Sequence, residues 1–374
     1  MTGLRIAFVA SLTSITPDVG AQSIRVDERP VIRIDEQLDS AAQFTRITAA
    51  FQLSTGQLVV ADARVPSVRV FGRDGRFQRD LGRSGGGPGE FMNVTLLPPV
   101  RDTIVVWDGR QRRITRYLSD GRLAGNLRVL SAADSRPISV VARLANGRWL
   151  VVTPYTPSLM RPGGTFNDSV HVGTMAATGT GSIAWLGWFP GTTFWVWKPN
   201  AAADHGEMVG FARFAAATRV LAAGDDVIIA SGGTNDVVLF DGRGRRVAHF
   251  RLPGERRPVS EVARSRARSA ALAEAQTDRM RAFVEASYDR SALPALAPVF
   301  NSAVWYAGEL WLELFTPDGN APTRYRVHRS DGSALGEVMF PPRARLLDVG
   351  RDFVWIAVAD DDGVERLERY GLRR

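Results

Sequence analysis

The chain has 374 residues, of which 45% are hydrophobic and 23% are charged, with no cysteine and a formal net charge of +8. This composition is too apolar for a disordered chain and too mixed for collagen or a long coiled coil, and no apolar run is long enough to cross a bilayer. A chain of this length usually forms two or three domains, but all-β architectures often carry it as a single unit.

The first 21 residues have the pattern of an export signal. Arg5 precedes a short apolar stretch over residues 6–15, Pro17 breaks that stretch, and Gly20 and Ala21 are the small residues of a cleavage site. We therefore predict an export signal over residues 1–21 and a periplasmic or secreted protein with a single domain over residues 22–374. Without cysteine the exported chain forms no disulfide and carries no lipid on an N-terminal cysteine, so its core alone must stabilise it.

One short pattern recurs six times along the chain. Each copy is a polar turn followed by a run rich in Val, Ile, Leu and Trp, which predicts a buried strand. The six copies lie in residues 56–62, 102–108, 147–152, 226–230, 309–314 and 352–357. A second, alternating strand and a turn follow each run. In four copies that turn contains Asp-Gly, whose residues tolerate the positive φ of a tight hairpin.

A large side chain stands four residues before a turn glycine in five of the copies. The pairs are Phe71/Gly75, Tyr117/Gly121, Met175/Gly179, Phe240/Gly244 and His328/Gly332, and Tyr370 takes the position of the large side chain in the sixth copy. Successive glycines are 46, 58, 65 and 88 residues apart. A basic unit of forty-odd residues is typical of a four-stranded propeller blade, and the longer intervals predict insertions.

The sixth copy has three strands, so a closed ring needs a fourth strand from elsewhere. Residues 24–26 and 31–34 alternate between apolar and polar side chains and are suited to supply it. We predict an all-β fold, a six-bladed β-propeller of four-stranded blades in which the N-terminal strand closes the ring. Such closure removes free sheet edges.

A known group of proteins has the same features. The segments Phe71-Gly72-Arg73-Asp74-Gly75 and Gly85-Gly86-Gly87-Pro88-Gly89-Glu90-Phe91, followed by a strand that ends in Trp107-Asp108, resemble the bacterial six-bladed β-propeller proteins related to NHL repeats. The resemblance covers about residues 25–374. It implies an exported propeller with an NHL-like or TolB-like ring, and it implies no particular activity.

Two insertions interrupt the repeat. The first, about residues 153–212, contains Trp185, Trp188, Trp195 and Trp197, whose alternation favours packing on a half-buried sheet over an aromatic recognition surface. The second, about residues 258–290 between blades 4 and 5, is rich in helix formers, and Thr277-Asp278 is suited to begin a second helix. Its apolar stripe of Leu272, Ala275, Met280, Phe283 and Val284 predicts a helix packed on the ring, with a partner-binding helix as the alternative.

The sequence contains no catalytic signature, so we assign no catalytic residue, metal site or cofactor. The four histidines lack metal-binding spacing, and packing is the expected role of His328. Asp62 and Asp108 follow equivalent strands, but the matching positions in other copies are not consistently acidic. We interpret Asn235, Asp236 and residues 360–362 as solvated turn residues.

We therefore favour a non-enzymatic binding or scaffolding module in the cell envelope, with a protein or envelope glycan as partner, and we expect a monomer. Candidate binding residues are Arg64, Trp107, Arg110, Trp195 and Trp197. The competing hypothesis is a calcium-dependent lactonase-like or esterase-like hydrolase, or a lyase, that acts in the central channel. Nucleic acid is not expected as a partner, because the arginines alternate with apolar residues and an aromatic-basic binding motif is missing.

Overall fold

The computed structural model describes residues 24–131, 137–153, 165–197, 208–289, 293–317 and 320–374. The predicted export signal, residues 1–21, lies outside the described residues. Two short strands come first, β1 (Arg25–Val26) and β2 (Ile32–Ile34), followed by a 3-10 turn at Ser40–Ala42.

Sheets 1 and 2 each have four antiparallel strands. Sheet 1 contains β3 (Ile47–Gln52), β4 (Leu58–Asp62), β5 (Val68–Phe71) and β6 (Phe77–Leu81). A parallel pair, β7 (Arg83–Ser84) and β8 (Glu90–Phe91), follows it. Sheet 2 contains β9 (Thr95–Val100), β10 (Thr103–Asp108), β11 (Arg113–Tyr117) and β12 (Leu123–Arg128). In both sheets, strands that are consecutive in sequence are neighbours in space.

Sheet 3 has five strands because the chain forms a long hairpin there. After β13 (Leu130–Ser131), the sheet begins with β14 (Ser139–Arg143), β15 (Trp149–Val152) and β16 (Thr165–Met175). Then β17 (Thr180–Gly181) pairs in parallel with β13, and the sheet ends with β18 (Ala184–Trp197) and β19 (Met208–Phe211). The Trp-rich insertion therefore lengthens this sheet.

Two helices separate sheets 4 and 5, as the sequence predicts. Sheet 4 contains β20 (Thr218–Ala223), β21 (Asp226–Ser231), β22 (Asp236–Phe240) and β23 (Arg246–Arg251). The helices are α1 (Glu261–Ala273) and α2 (Asp278–Ser287), and the Thr277 side chain caps α2 by accepting a hydrogen bond from the Met280 N–H. Sheet 5 contains β24 (Phe300–Tyr306), β25 (Glu309–Leu314), β26 (Pro322–Arg329) and β27 (Ala334–Pro342).

The predicted apolar stripe of the helices is correct except at one position. Ala275 and Val284 are buried, and Phe283 packs against sheet 3. Met280 is 41% exposed, because it lies in the first turn of α2, which faces solvent. No helix among the described residues is long and apolar enough to cross a membrane.

Sheet 6 combines the two ends of the described chain. It contains β28 (Ala344–Val349), β29 (Phe353–Ala359) and β30 (Glu365–Arg373). The free side of β30 pairs with β1 at Arg25↔Arg373 and with β2 at Ile32↔Arg369, both antiparallel. The N-terminal segment therefore occupies the position of a fourth strand in this sheet.

The core lies between the sheets. Six hydrophobic clusters among the described residues each combine side chains from two consecutive sheets, and one of them joins sheet 6 to sheet 1. The first strand of every sheet also contacts the first strands of both neighbouring sheets, so these contacts form a cycle. We call these six first strands the inner strands. The all-β prediction with antiparallel four-stranded sheets is confirmed.

The repeated turn glycine explains why the spacing pattern exists. All five glycines of the pattern have a positive φ, and all five large side chains before them are buried. His328 is among these, and its Nδ1 lies 2.9 Å from the Gly332 carbonyl oxygen, so packing is its role. Each glycine faces an apolar side chain of the fourth strand of the preceding sheet or of the N-terminal segment, and Gly121 also faces Arg79, so a Cβ would be crowded.

Candidate functional site

Two aspartates end the second strands of sheets 1 and 2 and organise the loops on one face of the molecule. Asp62 accepts hydrogen bonds from the Thr45 N–H at 2.8 Å and from the Arg64 N–H at 3.0 Å. Its Oδ2 also lies 3.6 Å from the Arg69 guanidinium. A buried carboxylate needs such donors, and here they fix the loop after β4 against the start of the sheet.

Asp108 does the same in sheet 2. Its Oδ2 accepts from the N–H groups of Met92 and Asn93 at 2.7 and 3.2 Å, and its Oδ1 accepts from those of Arg110 and Gln111 at 3.0 Å each. The side chain is fully buried. Four donors satisfy this carboxylate, so Asp108 positions loops and has little capacity left for a ligand.

A cavity of about 500 Å³ lies between sheets 1 and 2 on this face. Its walls are the start of β3, the loop after β4, and the chain that enters β9. The lining residues are Thr48, Ala49, Asp62, Ala63, Arg64, Val65, Pro66, Met92, Asn93, Val94, Thr95 and Leu96. The cavity thus combines an apolar wall with a few hydroxyl and amide groups, which is typical of small-molecule sites. We call it the Arg64 cavity.

Arg64 supplies the available charge of this cavity. Its side chain is exposed, and its guanidinium has no hydrogen-bond or ion-pair partner among the described residues. The Asp62 carboxylate beside it is already bound to Arg69 and to two backbone N–H groups. A guanidinium offers paired donors to carboxylate, sulfate or phosphate, so the arrangement is suited to an anion.

The sequence-predicted residues Trp107 and Arg110 lie near one another in sheet 2 but outside the lining of the Arg64 cavity. Trp107 is 2% exposed and belongs to the core between sheets 2 and 3, so little of its ring is accessible to a ligand. Arg110 is exposed on the loop after β10, and only its backbone N–H is fixed, by Asp108. Ligand contact at either residue stays a prediction.

Trp195 and Trp197 lie far along the long hairpin of sheet 3, where they support α2. The Phe283 ring centroid is 5.2 Å from that of Trp195 and 6.0 Å from that of Trp197. Trp195 is 8% exposed. These contacts agree with the packing interpretation for Trp195 and Trp197, whereas Trp188 of the same insertion is 54% exposed. A binding role for Trp195 and Trp197 stays a prediction.

The glycine-rich turn before sheet 2 is ordered by its own glutamate. Glu90 accepts from the Gly87 N–H at 2.8 Å and from Arg83 at 2.8 and 2.9 Å, and these donors lower the pKa of its carboxyl group. Gln111 donates to the Gly85 carbonyl oxygen at 2.8 Å. The turn is therefore a structural element of the loops on this face of the molecule.

The interpretation of Asn235 and Asp236 as solvated turn residues is only partly correct. Asn235 is buried, and its Nδ2 donates to the Gly254 carbonyl oxygen at 3.0 Å, because the chain between sheet 4 and α1 covers it. Asp236 is partly buried and lies 3.2 Å from His249 Nε2 and 3.3 Å from Arg251 Nε. The donors around Asp236, Thr234 first among them, lower its pKa.

Acidic side chains are scarce on the inner strands. Asp348 in β28 is the one Asp or Glu in these six strands, which also carry Arg143, Arg219 and Arg345. Asp348 Oδ2 accepts from the Gln52 N–H of β3 at 2.8 Å. Burial raises the pKa of Asp348 to about 7, against the lowering effect of N–H groups from Gln52 and Val349. Across the described residues, no group of three or more His, Asp or Glu is arranged to hold a metal ion.

Sequence reasoning missed the Arg64 cavity itself. Its polar residues Thr48, Asn93 and Thr95 are common surface types without a motif, and they come together only because sheets 1 and 2 pack side by side. The repeated Asp-x-Arg at residues 62–64 and 108–110 was the available signal, and it marks the loops rather than the cavity.

Comparisons with known proteins support the fold. No family model and no curated protein matches the chain. A protein described as exported, from Bacteroides fragilis, has 11% identity and a TM-score of 0.52, covering 96% of this chain and 97% of that one. A member of the DUF4221 family from Bacteroides vulgatus has 11% identity and a TM-score of 0.52, covering 95% and 99%. Together with the sheets described above, these likenesses identify the fold as a β-propeller.

Proposed function

We propose that this chain is an exported, six-bladed β-propeller that binds a ligand in the cell envelope without catalysing a reaction. Support for six blades comes from the six core clusters between consecutive sheets. Support for closure of the ring by the N-terminal segment comes from the pairing of β1 and β2 with β30. An NHL-like or TolB-like relationship is part of the same proposal.

Export is supported by two independent features. Residues 1–21 have the charged, apolar and small-residue pattern of a signal. In addition, one of the structures with the same fold is described as an exported protein. We therefore propose a periplasmic or secreted location.

The observation that carries the binding proposal is the accessible Arg64 guanidinium at a cavity of about 500 Å³. The neighbouring carboxylate of Asp62 is satisfied, so the positive charge of Arg64 is the available electrostatic feature. A ligand with a carboxylate, sulfate or phosphate group and an adjoining apolar surface suits this arrangement. An acidic envelope glycan or an acidic segment of a partner protein has such groups.

The scarcity of acids on the inner strands favours binding over the competing hydrolase or lyase hypothesis. A calcium centre on the axis needs several oxygen ligands that converge. Asp348 is the one carboxylate of the inner strands, and it is hydrogen-bonded to Gln52.

The test combines measurements of the melting temperature with an assay of lactone hydrolysis. The full chain is heated with calcium, with EDTA, and with neutral glycans, acidic glycans and lactones. We expect acidic glycans to raise the melting temperature, calcium and EDTA to leave it unchanged, and no lactone to be hydrolysed. Hydrolysis of a lactone, or stabilisation by calcium that EDTA reverses, would favour the enzyme instead.

A further inference from the structure

A second cavity, of about 240 Å³, lies between sheets 5 and 6. It occupies the same place in the repeat as the Arg64 cavity, bounded by one inner strand, the loop after the second strand, and the start of the next inner strand. Its charged and polar lining residues are Asn301, Glu313, Thr316, Thr323, Arg343 and Arg345.

Glu313 is the acidic group of the second cavity. Its Oε2 accepts from the Tyr325 hydroxyl at 3.1 Å, and its Oε1 accepts from Asn301 Nδ2 at 3.4 Å. The Tyr325 oxygen itself accepts from the Leu346 N–H at 2.9 Å, so the single hydroxyl proton is directed to Glu313. No described arginine forms a salt bridge with this carboxylate. The hydrogen-bond donors to Glu313 are therefore neutral, the buried Arg219 guanidinium interacts with its charge from beyond salt-bridge distance, and lone pairs remain for a cationic group.

Arg345 is the basic group on the opposite strand. Its Nη2 donates to Glu365 at 2.7 and 2.9 Å and to the Ile47 carbonyl oxygen at 2.8 Å. Its Nε and Nη1 atoms have no partner among the described residues. The guanidinium is thus ion-paired with Glu365 through one nitrogen, and its remaining N–H groups can donate to an anion.

Thr323 adds a hydroxyl group to the wall of the second cavity. The residue is 9% exposed, and its hydroxyl has no hydrogen-bond partner among the described residues. The hydroxyl oxygen is not one of the buried side-chain atoms that lack a partner, so it is accessible from the cavity and can donate to a ligand there.

We propose that the second cavity binds a small zwitterion, an α-amino acid, with the ammonium group at Glu313 and the carboxylate at Arg345. The Thr323 hydroxyl donates to the same carboxylate. At about 240 Å³ the cavity is about half the volume of the Arg64 cavity, at about 500 Å³. That room suits an amino acid with a small side chain. This site is separate from the Arg64 cavity and stands whether or not the latter binds an anion.

The experiment is isothermal titration of the full chain with glycine, L-alanine and L-serine, and with ethylamine and propionate as half-ligands. We expect an amino acid to bind and each half-ligand to bind at least about tenfold more weakly, because each loses one charge-assisted contact. Glu313→Gln, which keeps the side-chain shape, should weaken amino-acid binding by about tenfold or more, and Thr323→Val should weaken it as well.

The matched control is Glu337→Gln. Glu337 belongs to the same sheet and pairs with Arg326 at 2.6 Å on the surface, so this variant makes the same charge change outside the cavity. It should bind the amino acid like the wild type, and so should Arg64→Ala. Absence of binding by all three amino acids at millimolar concentration would overturn the proposal. So would equal binding by a folded Glu313→Gln variant, and so would equal affinities for ethylamine and alanine. If the Glu313→Gln variant does not fold, amino-acid binding by Thr323→Val and the affinities of the half-ligands test the proposal instead.

Discussion

Ile34 packs against Gly75 as the outer-strand residues of other sheets pack against their turn glycines. A Cβ on Gly75 would lie 3.0 Å from Ile34 Cγ1, and a Cβ on Gly332 would lie 2.7 Å from Phe250. Phe250 belongs to the last strand of sheet 4, whereas Ile34 belongs to β2 near the start of the described chain. The N-terminal strand therefore makes the same contact to the next sheet as a regular fourth strand.

The first prediction concerns this contact. Gly75→Ala combines a positive φ of 80° with crowding against Ile34 and Leu38, whereas Gly308→Ala has a positive φ of 93° and open space around the new Cβ. We expect Gly308→Ala to cost about 1–2 kcal/mol for the strained backbone alone, and Gly75→Ala to cost about 1–3 kcal/mol more. Urea unfolding measures both. Equal losses would mean that the glycine is not needed for packing.

The second prediction concerns the N-terminal strand as part of the core. Ile34 is fully buried, so Ile34→Ala should cost about 2–5 kcal/mol through lost burial and the cavity left behind. Val31 is 62% exposed, and Val31→Ala should change the free energy of unfolding by no more than about 0.5 kcal/mol. The comparison uses the same denaturation assay. A similar effect of both variants would contradict the closure of the ring by this segment.

The third prediction concerns pH. Burial raises the pKa of Asp348 from its ordinary value to about 7, so the folded protein binds this proton more tightly than the unfolded chain. Stability from this group is therefore complete below about pH 4 and is lost as the pH rises to about 7. We expect Asp348→Asn to remove that decline, so that its stability relative to the wild type increases between pH 4 and 8.

Asp352→Asn is the control for this pH profile. Asp352 lies in the turn between β28 and β29 with its side chain largely exposed. Its replacement should leave the shape of the stability curve between pH 4 and 8 unchanged. A constant difference in stability between the wild type and Asp348→Asn over this interval would contradict the assignment of the raised pKa to Asp348.

The fourth prediction separates a structural carboxylate from a metal ligand. Asp108 accepts four backbone hydrogen bonds, so Asp108→Ala should destabilise the protein by about 2–4 kcal/mol. The loss should be the same in calcium and in EDTA. Asp361→Ala, at a fully exposed turn position, should have little effect. A loss at Asp108 that appears only with calcium present would indicate a metal site.

Much of the fold could be predicted because its repeating unit is local. The buried second strands and the turn glycines are set by short-range patterns, and the pairs from Phe71/Gly75 to His328/Gly332 are all found as expected. The start of α2 after its capping residue Thr277 could also be predicted, because capping depends on the residues next to the helix. The exposure of Met280 could not be predicted, because it depends on how α2 packs against sheet 3.

The candidate sites were predictable only in part. Arg64 could be identified as a loop residue, but the cavity beside it joins residues from the neighbourhoods of β3, β4 and β9, which are not adjacent in sequence. Glu313 and Arg345 likewise come from different sheets, and neither belongs to a motif. Trp107 was chosen as an aromatic near a loop, and the packing of sheet 2 on sheet 3 buries it.

The measurement that tests the central claim most directly is a titration of the wild type, Arg64→Ala and Arg112→Ala with an acidic oligosaccharide. Arg112 is the control, because it is exposed on the loop after β10 of sheet 2 but does not line the cavity. We expect Arg64→Ala to weaken binding by about tenfold or more, Arg112→Ala to bind like the wild type, and the oligosaccharide to be recovered intact. Equal affinities for the wild type and Arg64→Ala, or cleavage of the oligosaccharide, would contradict binding at the Arg64 cavity without catalysis.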